Sequence, residues 1–170
     1  MTKRNVMICM NTSRLQIAQS LFDENEADEQ EDALDLDEDE PEAAELWMEG
    51  RLVTNAHRVE LVYEEGELSG MEGALTSIGF ERDRPGLISM MRSGPVATAM
   101  VFEEGKRHFS VYDTPFSSFQ ICVRALHVEN CLLTHGKLSL EYQIEIHGAQ
   151  AERCKMEITV SDNGALFSED

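Results

Sequence analysis

Between Lys137 and His147 apolar and polar side chains alternate without a miss, and this stretch restricts the architecture of the chain more than any other. Leu138, Leu140, Tyr142, Ile144 and Ile146 fall on one side, and Lys137, Ser139, Glu141, Gln143, Glu145 and His147 on the other. A period of two belongs to a β-strand with one face buried and one face wet. No helical period of 3.6 spans more than two turns outside one acidic segment.

Shorter stretches of the same kind recur between turn residues. Strands are expected at Asn5 to Arg14, Leu46 to Val53, Arg58 to Glu64, Ala74 to Phe80, Gly86 to Arg92, Val96 to Phe102, Lys106 to Tyr112, Phe119 to Val128, Leu138 to Ile146 and Arg153 to Val160. Asn55-Ala56, Glu65-Gly66, Ser69-Gly70, Asp83 to Gly86, Ser93-Gly94-Pro95, Glu104-Gly105 and Gly148 to Gln150 separate them. A meander of about nine or ten strands has two edges to hide, and closure into an antiparallel up-and-down β-barrel removes both. The expected fold class is therefore all-β, a single barrel domain over residues 1–170, with a first strand near 5–14 and the remaining barrel near 46–161.

The acidic segment divides that domain. Fourteen of the 33 acids lie between Asp23 and Glu45 with no Lys or Arg among them, so most of the formal charge of −19 sits in one run. Mutual repulsion and few large apolar residues make 22–45 a solvated, disordered insert, although Glu42 to Leu46, after Pro41, has the composition of a short helix. Residues 162–170 read as a C-terminal tail. A chain of this charge repels phosphate backbones and anionic lipid, which argues against nucleic-acid and membrane partners. No apolar run has the length of a signal-peptide core or a membrane span, so a cytoplasmic location is expected. Cys9, Cys122, Cys131 and Cys154 are then reduced thiols.

Hairpin registers follow from the turns. With Glu104-Gly105 as a two-residue turn, Met100 faces Phe109 and Thr98 faces Val111, which puts Phe102, Met100, Phe109 and Val111 inside. Around Gly94-Pro95 the same reasoning puts Leu87, Ser89 and Met91 inside and leaves Ile88, Met90, Ala97, Ala99 and Val101 outside. Such an apolar outer face needs cover, from another segment or a second subunit. In the last hairpin Ile144 is matched with Cys154, Tyr142 with Met156 and Leu140 with Ile158, through a three-residue bulged loop at Gly148 to Gln150.

Five segments in order then carry a resemblance: Val59-Glu60-Leu61-Val62-Tyr63-Glu64-Glu65, Met91-Arg92-Ser93-Gly94, Met100-Val101-Phe102-Glu103-Glu104-Gly105, Tyr112-Asp113-Thr114-Pro115-Phe116 and Gly136-Lys137-Leu138-Ser139-Leu140-Glu141-Tyr142. Together they resemble the YwiB-like family of bacterial proteins of unknown function, over roughly Asn5 to Arg14 and Leu46 to Ser161. The resemblance implies a calycin, lipocalin-like β-barrel and a bacterial cytoplasm; it transfers no activity. Two features depart from it: the long acidic insert, and Ser117 where the family tends to have Gly after Thr-Pro-Phe.

Ligand and catalytic motifs are weak. His127, Cys131 and His135 are evenly spaced, but they run from a strand end through a loop and share no face, so no metal site is expected. Asp35, Asp37 and Asp39 have the alternation of a calcium loop, yet Glu40 stands at its glycine position and Leu46 at that of its bidentate acid. No phosphate-binding glycine loop, nucleophile elbow or zinc-protease helix is present. His57 and His108 read as solvated, at a strand start and on an outer face.

The reading that follows is a non-enzymatic barrel, without a cofactor, that binds a small and mainly apolar molecule in its interior. Tyr63, Arg92, Met100, Phe102, Phe109 and Tyr142 are the binding candidates, with Arg92 reaching inside if the register of its strand differs by one. The alternative is a structural or regulatory interaction module with a filled barrel, homodimeric through Ile88, Met90, Ala97, Ala99 and Val101. An enzyme acting at the barrel mouth is the third possibility.

Overall fold

Among the described residues of the computed structural model, the alternating stretches form ten strands that close on themselves. These are β1 (Thr2–Gln16), β2 (Glu42–Thr54), β3 (Arg58–Glu64), β4 (Leu75–Glu81), β5 (Leu87–Ser93), β6 (Ala97–Glu103), β7 (Arg107–Asp113), β8 (Ser118–Cys131), β9 (Lys137–Ile146) and β10 (Glu152–Asp162), with one helical turn, α1 (Leu132–His135), before β9. Each strand pairs antiparallel with its neighbours in sequence, and β1 lies between β2 and β10, so the antiparallel barrel has no open edge. The structure describes residues 1–18, 21–22, 42–66 and 72–162. The expectations for 23–41, Asp35, Asp37 and Asp39 among them, and for 163–170 lie outside the described residues.

Inward-facing residues build the core in layers. Leu52, Leu61, Ile78, Met90 and Met100 are successive cross-strand partners from β2 to β6. Val59 with Phe80 and Ile88 with Phe102 lie one step further along the same strands, and all nine side chains are buried. From β9 and β10 come Leu138, Leu140, Tyr142, Cys154 and Ile158.

Several expectations need correction. Residues Glu42–Leu46 are strand, not helix, and they shorten the insert expected at 22–45. Asn11 to Arg14 of the long strand β1 would otherwise lack a partner, and they pair with Glu45 to Glu42 in sequence. Ladder hydrogen bonds here override local helix propensity. The turn α1 was not anticipated, since four residues carry no period. It ends at Gly136, whose φ of 68° lies in the left-handed region and whose missing side chain leaves room for the Val160 carbonyl oxygen, 2.6 Å from where a Cβ would stand.

The hairpin registers differ by one or two residues. In β5–β6 Ile88 faces Phe102 and Met90 faces Met100, so Ile88 and Met90 belong to the core and not to an outer face; Leu87, Ser89 and Met91 turn outward. Between β6 and β7 the Lys106 amide donates to the Glu103 carbonyl as a two-residue turn requires, but Thr98 pairs with Tyr112, not Val111. One residue has slipped, so Phe109 and Val111 are exposed while His108, Ser110 and Tyr112 turn inward. His108 is thus half-buried on the inner face beside Val123, not solvated on the outer one. In the last hairpin Cys154 faces Tyr142 and Ile158 faces Leu138, two residues from the expected pairing. An even slip keeps every side chain on its expected face. At the departure from the family pattern, Ser117 has no positive φ, so a side chain is accommodated there without backbone strain.

The stretch after β1 packs on the outside of the barrel. Ile17 and Leu21 are buried against Cys122 and Ala151, and Phe22 lies against the rings of Phe109 and His147. The Leu21 amide donates to Glu145 Oε2 at 3.0 Å, and its carbonyl accepts from Arg107 Nη1 at 2.8 Å. The covered outer face is thus on β7 to β9.

Candidate functional site

One cross-strand row crosses most of the barrel at a single level. Gly50, Tyr63, Thr76, Arg92, Thr98 and Tyr112 are successive partners from β2 to β7. Alternation brings each to the inner face, and Gly50 has no room for more, since a Cβ there would stand 2.5 Å from Ile8 Cδ1. The layers beyond are apolar, so this row is where the interior changes from hydrocarbon to polar groups.

Arg92 and Glu65 form the centre. Arg92 Nη2 lies 3.2 Å from Glu65 Oε1, with side chains 11% and 5% exposed. Thr76 ties the pair: its hydroxyl donates to Glu65 Oε1 at 2.8 Å and accepts from Arg92 Nε at 3.2 Å. Glu65 is held in turn by backbone bonds, its amide to the Ala74 carbonyl at 2.8 Å and its carbonyl from the Gly73 amide at 3.2 Å. Buried charges are stable where they are paired and further hydrogen-bonded, as here.

Two tyrosines adjoin this cluster. Burial pushes the Tyr63 hydroxyl well above its ordinary pKa, with Glu65 raising it further and Arg92 opposing. Burial also raises Tyr142, which hydrogen-bonds with Cys154, and the Cys154 thiol is pushed up to about 12 by burial and by Glu152. All three stay protonated at neutral pH, which makes them hydrogen-bonding surfaces and not nucleophiles or bases. Phe102 packs beneath, its ring centroid 4.8 Å from that of Tyr142.

An interior pocket of about 370 Å³ opens on this cluster. Met10, Leu46, Met90, Met100, Ile144 and Met156 supply apolar wall, while Tyr63, Glu65, Arg92, Tyr112 and Tyr142 supply polar atoms. At the mouth Arg14 lies 3.7 Å from Glu42 and 4.0 Å from Glu152. A larger recess of about 530 Å³ on the outer face of β1 and β10 is a wide trough lined mostly by exposed side chains, Glu45, His127 and Lys155 among them. Binding sites bury most of their ligand and hold a few fixed polar groups, a description that suits the interior pocket.

Of the binding candidates, Tyr63, Arg92, Met100 and Tyr142 line the pocket. Phe102 is in the core below it, and Phe109 points away, 53% exposed on the outside. Sequence reasoning missed Glu65, taken as a turn residue. The alternation Val59, Leu61, Tyr63 extended by one step would have placed it on the inner face. It also missed Thr76 and Thr98, whose small polar side chains carry no signal until Arg92 is inside. His127, Cys131 and His135 do not converge: His127 pairs with Glu104 at 2.9 Å and His135 Nδ1 with Thr134 at 3.0 Å. Among the described residues no three His, Cys, Asp or Glu gather as metal ligands, and no helix is long and apolar enough to cross a membrane.

Comparison with known proteins agrees with this architecture. The crystal structure of the ywiB protein from Bacillus subtilis is similar over 94% of this chain and 93% of that one, with a TM-score of 0.61 and 14% identity, a likeness of fold. No curated protein matches the chain. The model of a family described as a domain of unknown function (DUF1934) matches residues 29–158, and the chain belongs to that family.

Proposed function

We propose that the protein is a non-enzymatic, lipocalin-like binder that holds a small, mainly apolar molecule in the barrel interior. The observation that carries this reading is the buried Arg92–Glu65–Thr76 cluster opening on a pocket of about 370 Å³ whose walls are mainly apolar. A barrel whose interior served packing alone is filled to density by side chains. Four methionines in the wall suit a guest of irregular shape, since an unbranched thioether adapts at little cost. The cytoplasm is the location that fits free thiols and a strongly acidic chain.

Native mass spectrometry of the protein purified from its own kind of host tests the reading. The expected result is a retained small mass that is lost on denaturation and lost again in Tyr142→Trp, which fills the pocket. A clean mass without adduct, together with no uptake of apolar probes, would sink it.

A second reading, a protein-contact module, is favoured by one observation. The outward row Met91, Ala99 and, on the next strand, Val111 leaves an apolar strip exposed, with Val101 and Phe109 beside it. Ala97, Ala99 and Val101 keep their place on that face as contact candidates. A dimer that dissociates in Met91→Asp, with no adduct in either form, would support this reading in place of the first.

A further inference from the structure

Charge and hydrogen bonding inside the pocket point to the chemistry of its guest. We propose, resting on the binder reading above, that the pocket takes an uncharged amphipathic molecule. Its hydroxyl or carbonyl head is received by Arg92 beside Tyr112, and its apolar tail lies along the methionines.

Charge excludes the ionic alternatives. Arg92 and Glu65 are almost wholly buried and already neutralise each other. A carboxylate guest would sit beside Glu65, and an ammonium guest beside Arg92, each as a third charge in an interior that balances two. The mouth offers no surplus either, because Arg14 and Lys155 there are matched by Glu42 and Glu152. A neutral head meets neither penalty.

Hydrogen bonding says where the head goes. Arg92 and Tyr112 stand two strands apart in the cross-strand row, and both line the pocket. A guanidinium has five N–H donors; Nε is given to Thr76, Nη2 donates to Glu65 and a further N–H serves the Tyr63 hydroxyl, so donors remain on the Arg92 fork. A guest oxygen in the pocket can accept from that fork. Size fits the same class: about 370 Å³ corresponds to roughly a dozen water volumes, hence about a dozen non-hydrogen atoms.

The test uses the full chain, a neutral fluorescent apolar probe such as phenylnaphthylamine, and displacement at pH 7 by decanol, decanoate or decylammonium. Decanol should displace at a concentration about tenfold lower than either ion, a difference of about 1.4 kcal/mol. Glu65→Gln, which leaves Arg92 unbalanced, should shift the decanol-to-decanoate ratio about tenfold or more toward decanoate; comparing ratios cancels the unequal solubility of the two. A decanol-to-decanoate ratio that does not move in Glu65→Gln overturns the proposal. Decanoate or decylammonium displacing the probe at as low a concentration as decanol, in the unaltered chain, overturns it as well. Failure of the probe to bind in any form removes the binder reading itself, and this inference with it.

Discussion

Arg92 Nη2 and Glu65 Oε1 stand 3.2 Å apart inside a β-barrel, on side chains that are 27 positions apart in the chain and nearly inaccessible to solvent. Removing either partner strands a charge in the interior. Arg92→Met or Glu65→Leu alone should cost about 3–5 kcal/mol in urea unfolding, while the double substitution should cost clearly less than the sum. Additive losses would show that the two groups do not act as a pair.

Thr98 provides a prediction of opposite sign. Its hydroxyl is buried without a partner, so Thr98→Val should stabilise the ligand-free protein by about 1 kcal/mol. Thermal unfolding after stripping by denaturation and refolding measures it. A loss of stability would mean that the hydroxyl is satisfied in the free protein.

Alkaline pH should destabilise the barrel before it alters its charge pairs. The Cys154 thiol is raised from 9.0 to about 12, and burial raises Tyr63 and Tyr142 from their ordinary 10.0. For an acid whose folded pKa is above its unfolded one, the stabilisation is complete below the unfolded value and is lost as pH rises toward the folded value. Stability should therefore be flat from neutrality to about pH 9 and fall steadily above it. Cys154→Ala should flatten the start of that fall, as followed by chemical denaturation at each pH.

Two phenylalanines separate inside from outside. Phe102 is fully buried and Phe116 is 95% exposed at a turn, where Thr114 Oγ1 accepts from the Phe116 and Ser117 amides. Phe102→Ala should cost about 3–5 kcal/mol, and Phe116→Ala should stay within about 0.5 kcal/mol. Comparable losses would contradict the register of β6.

What the chain's sequence determined by itself is what depends on local alternation and turn chemistry. Strand β3 lies where its alternation places it, Arg58–Glu64, and most of the other strands differ from their expected bounds by one to three residues at either end. Closure into a barrel also follows from the number of short strands, because a long meander cannot leave its edges bare. Tyr63 and Tyr142 were legible as inner-face residues for the same reason.

Only the tertiary structure decided the registers, and with them the site. A one-residue slip costs nothing in a strand such as Leu87–Ser93, whose two faces are similarly apolar, yet it turns every side chain to the other side. That slip moved Ile88 and Met90 into the core and carried Arg92 inside to meet Glu65 and Thr76, while a second one, between β6 and β7, turned Phe109 outward. The position of Ile17, Leu21 and Phe22 over β7 to β9 was hidden likewise, since a few apolar residues before an acidic run give no direction. Alternation says which residues share a face; which face is the interior is settled when the sheet closes and the larger apolar sum is buried.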